Sequence, residues 1–242
     1  MEYPFLEKSL FGRIKQRIRL EYQVFRQETL EFEKVKIRLN KGLSKKIYKA
    51  LCYGYYEFEE LQILRKYLSK DDLVFELGTG LGLISAYCSR SIGSEKVFTY
   101  EANPFMKKLI NDTYWLNNVN PQLDICLLGE NTGEAVFFIE EDFWISSTVQ
   151  HTTGARSVKI PVKSFNREIY RINPTFLILD IEGGEYELFQ FADFHDIRKI
   201  LIEIHDDILG LEKTRFVLNT LITQGFRINE EISSKNVSFW QR

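Results

Sequence analysis

Cysteine is scarce in this chain of 242 residues. Cys52, Cys88 and Cys126 are odd in number and far apart, with no C-x-x-C pair. That excludes a disulfide framework and cysteine-built zinc sites, and leaves free thiols in a reducing compartment. An excess of one charge is also missing. Lys and Arg number 32 against 34 Asp and Glu, a formal net charge of −2, so there is no general draw toward nucleic acid. No uncharged run approaches the ~18 residues that a membrane span needs, and no signal peptide opens the sequence. A cytoplasmic location is the expectation. Internal repeats and low-complexity linkers are absent as well. What is left is 44% hydrophobic and 27% charged, the composition of one α/β domain with an extension.

The chain is organised around Leu73-Val-Phe-Glu-Leu-Gly-Thr-Gly-Leu-Gly-Leu-Ile-Ser-Ala-Tyr-Cys88. Leu73 to Phe75 is a short apolar run, the mark of a buried strand, and it leads into Glu76, Gly78, Gly80 and Gly82. After Gly82 the spacing turns helical, with Leu83, Ile84 and Tyr87 on one side. Strand, glycine turn and helix bring backbone N–H groups and a helix N-terminus against a nucleotide-like ligand. A dinucleotide fingerprint needs its third glycine at position 83, which is Leu83. The acid two residues before the first glycine would repel a pyrophosphate. It suits a ligand with a cationic amino-acid end, such as S-adenosylmethionine.

Ahead of this unit, residues 5–27 predict an amphipathic helix with Phe11, Ile14, Ile18, Tyr22 and Phe25 on one face. Its basic residues, between Lys8 and Arg26, form a solvated face; the alternative is an arm that touches an anionic surface. A strand over Val35–Leu39 and helices over Leu43–Leu51 and up to Leu68 complete a mainly helical extension, residues 1–70. Gly54-Tyr-Tyr-Glu57 offers either a tyrosine wall over a cofactor or a helix-joining core.

Residues 71–242 read as the main domain. The strand Lys96–Glu101, a helix over Phe105–Asn117 and a strand over Leu123–Leu128 imply a doubly wound parallel sheet with its ligand at the carboxyl ends. Glu101 closes the second strand, where an acid can accept both ribose hydroxyls of a nucleoside. Residues 133–165 interrupt the alternation with strands over Glu134–Ile139 and Ser157–Lys163, and His151 lies in a polar loop between them, read as solvent-exposed.

The second half of the argument is Thr175-Phe-Leu-Ile-Leu-Asp-Ile-Glu-Gly-Gly-Glu185. Phe176 to Leu179 is apolar throughout, as a strand buried on both faces should be. Asp180 and Glu182 then share a face at its carboxyl end. In Lys199-Ile-Leu-Ile-Glu-Ile-His205 the residues Leu201, Glu203 and His205 share another. Polar groups in a core strand are costly unless paired, which singles out His205 nearest the carboxyl end. A helix over Leu211–Thr223 and an edge hairpin, Phe226–Ile232 with Lys235–Trp240, close the chain.

In order and spacing, several pieces between about Gly54 and His205 resemble the FkbM family of S-adenosylmethionine-dependent methyltransferases. They are Gly54–Glu57, Glu76–Gly82, Glu101-Ala-Asn-Pro104, Ser146-Ser-Thr148, Asp180–Glu185 and Ile202-Glu-Ile-His205. The resemblance implies a Rossmann-like class I methyltransferase fold, a seven-stranded sheet with an antiparallel last strand. It implies O-methylation, often of sugars or natural products. It also implies that Glu76, Gly78, Gly80 and Gly82 hold the methionine end and Glu101 the ribose, with Tyr56 and Asn103 in the same cofactor site. Two positions differ from the family's usual pattern. Gly80 stands in place of an Asn, and Ile178 in place of a Lys, which leaves Asp180 less compensated.

An alcohol acceptor must lose its proton, and a positioned general base contributes roughly 10²–10⁴-fold. Asp180, Glu182 and His205 are the catalytic candidates, with histidine nearest the working pH and Asp180 orienting it or the acceptor. No metal is assigned; Mg²⁺ on Asp180, Glu182 and Glu203, orienting a diol, is the less favoured arrangement. The expected acceptor is a hydroxyl on a sugar, glycan or small natural product. Two other classes stay open: a non-catalytic or nucleotide-binding module on the same fold, and an NAD-dependent oxidoreductase, disfavoured by Glu76 and Leu83.

Overall fold

The computed structural model describes residues 29–39, 43–139, 154 and 156–242. The helix expected over 5–27, the Ser146–Thr148 match and His151 lie outside the described residues. The described chain runs from a hairpin of β1 (Thr29–Phe32) and β2 (Val35–Arg38) into helices α1 (Lys45–Tyr53) and α2 (Phe58–Tyr67). Strand and helix then alternate through β3 (Val74–Leu77), α3 (Leu83–Ile92), β4 (Val97–Glu101), α4 (Lys107–Asn117) and β5 (Gln122–Ile125). Next come β6 (Leu127–Gly129), β7 (Gly133–Ile139), β8 (Arg156–Ser164) and α5 (Phe165–Ile172). The last part is β9 (Phe176–Leu179), α6 (Glu185–Phe189), β10 (Lys199–Glu203), α7 (Asp206–Thr223), β11 (Arg227–Ile228) and β12 (Val237–Gln241).

Seven strands form the main sheet in the order β11-β12-β10-β9-β3-β4-β5. From β10 to β5 all neighbours are parallel, and β12 runs antiparallel between β10 and β11. The chain leaves β3 toward β4 and β5 but leaves β9 toward β10, so the strand order reverses between β3 and β9. A crevice opens at such a switch point, outside the carboxyl ends of the strands.

Side-chain alternation decides what each layer buries. Phe176 and Ile178 of β9 join a core with α1, α2, α3, α4 and the hairpin. Leu177 and Leu179 join a second core with α5, α6 and α7 on the other face. All four are buried, and each fully buried side chain of this size contributes about 1.5–3 kcal/mol. At the amino ends of the strands, the Asp72 carboxylate takes Lys199 Nζ at 2.8 Å and the Ser69 N–H at 2.7 Å. Lys199 and Thr175, which also reaches Asp72, tie β10 and β9 to the start of β3.

The structure corrects several expected elements. Leu123–Leu128 is two strands: β5 stays in the main sheet, and beyond the buried Cys126 the chain turns out as β6 to pair with β8. Phe165, Ile169 and Ile172, spaced for one helical face, form α5, a helix absent from the expected elements. β10 stops at Glu203, and α7 begins at Asp206 with a kink at Gly210. The closing hairpin is not all edge, because β12 is inserted inside the sheet. In the expected extension, residues 29–70 hold a β-hairpin and two helices that share one core with α3 and α4. No helix among the described residues is long and apolar enough to cross a membrane.

Candidate active site

The glycine turn after β3 is pressed between two neighbours. Gly78 has φ +85°, and a Cβ there would lie 1.7 Å from the Asp180 carbonyl oxygen. Only glycine lets the turn touch the end of β9. A Cβ on Gly80 would lie 2.8 Å from the Tyr56 hydroxyl and 3.3 Å from Glu57 Oε1. The buried Tyr56 hydroxyl accepts the Leu81 N–H at 3.2 Å, so this tyrosine supports the turn from the junction of α1 and α2. Gly82 is the N-cap of α3.

Glu101, at the end of β4, is 8% exposed and lines the same crevice. Its Oε2 accepts the Gly80 N–H at 3.1 Å and its Oε1 the Asn103 N–H at 2.7 Å. Burial raises this carboxyl to about 7, against the backbone N–H groups that lower it. Asn103 is buried beside it and accepts the Phe105 N–H through Oδ1, while its Nδ2 has no hydrogen-bond partner among the described residues.

Glu76 is placed differently from the expectation that it meets a ligand's cationic end. It sits within β3 on the face that carries Val74, under α3, and is 1% exposed. Thr99 donates to it, Thr79 bonds Thr99, and Ser85 is a further partner that also bonds Tyr114 at 2.9 Å. Burial pushes its carboxyl up to about 8. The acid that does reach the crevice beside Gly80 is Glu57, which lies in the Gly54–Glu57 match but carried no expected role. Glu57 opens α2 in the left-handed region, φ 48°, a conformation that a non-glycine residue holds at some cost. Its Oε2 is buried with no hydrogen-bond partner among the described residues. Burial, and then the neighbouring Glu60, raise its carboxyl well above the usual range.

The opposite wall is a carboxylate–imidazole cluster. His205 lies past the end of β10 and is the N-cap of α7, not a strand residue. Its Nδ1 donates to Oε1 of Glu185 at 2.8 Å, a residue with no exposure that also accepts the Gly183 N–H. Its Nε2 faces Glu182 at 3.1 Å, Asp180 at 3.7 Å and Glu203 at 3.9 Å. Burial disfavours the imidazolium, but the Glu185 hydrogen bond and the charges of Asp180 and Glu182 prevail and raise it to about 10. A histidine titrating in its ordinary range, as the sequence suggested, is therefore replaced by one that keeps its proton through neutral pH. Burial also raises Asp180 to about 6, Glu182 to about 9 and Glu203 to about 7, with carboxylate repulsion adding and His205 subtracting in each case. Glu185 and Glu203 were not among the expected catalytic residues. The signal for Glu185 was its place in the Asp180–Glu185 motif, and for Glu203 its place on the polar face of β10.

One cleft of about 1310 Å³ takes in Tyr56, Glu57, Gly78, Gly80 and Glu101 on one side and Asp180, Glu182, Glu203 and His205 on the other. A parallel sheet with one antiparallel strand and a glycine-turn crevice at its switch point is the class I methyltransferase architecture. The chain belongs to the FkbM methyltransferase family: residues 80–228 match the methyltransferase FkbM domain. Family membership makes it a methyltransferase. No curated protein matches it. Among solved structures it is similar in fold to the Pyrococcus abyssi tRNA (uracil-54, C5)-methyltransferase in complex with S-adenosyl-L-homocysteine. That match has 11% identity and a TM-score of 0.50, over 89% of this chain and 43% of that one. Precorrin-6y C5,15-methyltransferase from Geobacter metallireducens GS-15 has 13% identity over 83% of this chain and 93% of its own, at a TM-score of 0.49. A methyltransferase from Pyrococcus furiosus has 14% identity over 94% and 97%, at 0.46.

Proposed function

We propose that this protein transfers a methyl group from S-adenosylmethionine to a hydroxyl of a sugar, glycan or small natural product. The observation that carries the reading is the shared cleft, with the glycine turn and Glu101 on one wall and Asp180, Glu182 and His205 on the other. The first wall fits the cofactor. Glu101 keeps acceptor capacity for ribose hydroxyls beside the two N–H groups it already takes. The unpartnered Oε2 of Glu57 suits the α-ammonium, a role taken over from the inward-facing Glu76. Gly78 and Gly80 leave the backbone open to close approach.

S-adenosylmethionine, when bound, supplies a methyl group already activated on a sulfonium. What the chain must do is align the acceptor oxygen, exclude water and take one proton. Carboxylates that accept hydrogen bonds suit a hydroxylated acceptor. His205 has no free lone pair for the proton, since Nδ1 is on Glu185 and Nε2 faces three carboxylates. Asp180 is the better base, because it directly follows β9 with its backbone against the glycine turn and lines the shared cleft. His205 then holds the carboxylates in place.

The test is calorimetry with S-adenosylhomocysteine and with NAD, followed by transfer of labelled methyl to a panel of glycosides and polyols. S-adenosylhomocysteine should bind, and Glu101→Ala should weaken it by ~1.5–3 kcal/mol, the worth of hydrogen bonds to a charged group. Binding of NAD alone would overturn the cofactor assignment and the transfer mechanism with it. Transfer to amines but to no hydroxyl would move the acceptor class.

A further inference from the structure

The cluster around His205 sets four carboxyl groups against a single imidazole. Four carboxylates lie within 4.0 Å of its two ring nitrogens. Among the described residues, His205 is the cation within ion-pair reach of Asp180, Glu182 and Glu203. Of the lysines that line the cleft, Lys213 pairs with Glu187 at 3.0 Å and Lys235 with Asp206 at 3.0 Å, and Lys46 lies near Glu57 and Glu60 at its other end. Two oxygens of the cluster are buried with no hydrogen-bond partner among the described residues, Oδ1 of Asp180 and Oε2 of the fully buried Glu185.

The donor geometry answers a different need. One oxygen each from Asp180 and Glu203 and a ring nitrogen of His205 lie within 4.8 Å of one another. Around an octahedral ion with bonds of ~2.1 Å, adjacent donors stand about 3.0 Å apart and opposite ones about 4.2 Å. The distances from Nε2, 3.1 Å to Glu182, 3.7 Å to Asp180 and 3.9 Å to Glu203, fall in that range. Behind the ring, the buried Glu185 takes Nδ1–H and fixes which nitrogen points into the cluster. A histidine ligand oriented by a carboxylate on its other nitrogen is the usual outer support of a metal site.

We infer that Asp180, Glu203 and His205 form a divalent-cation site of the Mn²⁺ class, with Glu182 beside it and Glu185 as the positioning residue. Two carboxylate oxygens with one imidazole favour Mn²⁺ over Mg²⁺, which prefers oxygen and water, and over thiolate-seeking ions. The sequence pattern alone favours no metal, with Mg²⁺ on Asp180, Glu182 and Glu203 as the lesser option; His205 in the donor set changes that. Resting on the methyltransferase reading, the ion would hold two neighbouring acceptor hydroxyls. Asp180 would reach it through Oδ1 and keep Oδ2 for the acceptor's proton.

The experiment needs neither cofactor nor acceptor, so it fails or succeeds independently of that reading. The full chain, stripped with chelator, is titrated with MnCl₂ and followed by electron paramagnetic resonance. One Mn²⁺ should bind per chain, and pulsed measurements on wild-type protein should show coupling to an imidazole nitrogen. Glu203→Gln and His205→Gln should each weaken Mn²⁺ binding at least tenfold. Glu185→Gln should weaken Mn²⁺ severalfold by loosening the ring. Circular dichroism checks that each variant is folded, and the nitrogen coupling needs no variant at all. No binding at millimolar Mn²⁺, no nitrogen coupling, or equal affinity in folded Glu203→Gln and wild type would overturn the site.

Discussion

Replacing Glu76 with Gln should make the cofactor-free protein more stable, and increasingly so as pH rises. The residue is 1% exposed within the central strand, and burial lifts its carboxyl from 4.5 to about 8. Because the folded value lies above the unfolded one, the stabilising contribution is fully present below about pH 4.5. It is lost progressively up to about pH 8. Glutamine keeps the shape and stays neutral, and the Thr99 and Ser85 hydroxyls beside it can accept from its amide. Each pH unit in that window changes the difference between variant and wild type by about 1.4 kcal/mol. Allowing ~1 kcal/mol for a less favourable hydrogen bond, the gain near pH 8 is on the order of 4 kcal/mol. Most other buried acids titrate alike in both proteins; Glu57 and Glu101, which interact with Glu76, are the exceptions. Guanidinium unfolding of both proteins at several pH values between about 5 and 8 measures it directly. A difference flat with pH would mean that Glu76 is ionised in the folded chain, against the burial argument. S-adenosylhomocysteine affinity should change less than about threefold; a larger loss would return Glu76 to the methionine end of the cofactor.

Gly78→Ala should destabilise by at least ~2 kcal/mol and abolish S-adenosylhomocysteine binding, since its Cβ meets the Asp180 carbonyl at 1.7 Å in a positive-φ turn. Gly133→Ala, whose Cβ meets nothing within 4 Å, is the control; equal behaviour of the two in thermal melts would refute the contact argument. Lys199→Met should cost about 3 kcal/mol, because it leaves the buried Asp72 carboxylate without its cation. Adding Asp72→Asn should recover most of the loss, and no recovery in urea titrations would mean that Lys199 acts through packing alone.

Much of the fold was legible because its strands are buried on both faces. Phe176–Leu179 can only be a central strand of a sheet covered twice, and the glycines after Leu77 mark where β3 turns into α3. The rest turned on signals weaker than hydrophobic period. Helix α5 is a single amphipathic stretch, with exposed Arg167 and Tyr170 between its buried residues. Its spacing was available but fell between two better-marked strands. The split of β5 from β6 hinges on which sheet accepts the backbone hydrogen bonds of Leu127 to Gly129. That is a tertiary choice, since Leu127 and Leu128 are apolar in either arrangement.

The site was legible as a set of residues and less so as a set of roles, for one physical reason. A carboxylate's chemistry depends on what surrounds it, and position along a strand does not fix that. Glu76 and Glu101 are both acids on neighbouring parallel strands, yet one faces α3 and the other the crevice. Alternation placed Glu76 on the face of Val74, so its inward direction could have been read from the pattern. What no pattern gives is Glu185 behind His205. The two are 20 residues apart and meet because α6 and the start of α7 both cap the carboxyl edge of the sheet. That contact settles the chemistry of the ring. Without it, His205 would be a free imidazole with two usable nitrogens; with it, one nitrogen is committed and the other is aimed at Asp180, Glu182 and Glu203. A single buried carboxylate thus turns a histidine expected to take a proton into one built to hold negative charge, its own proton or a metal ion being alternative answers to the same demand.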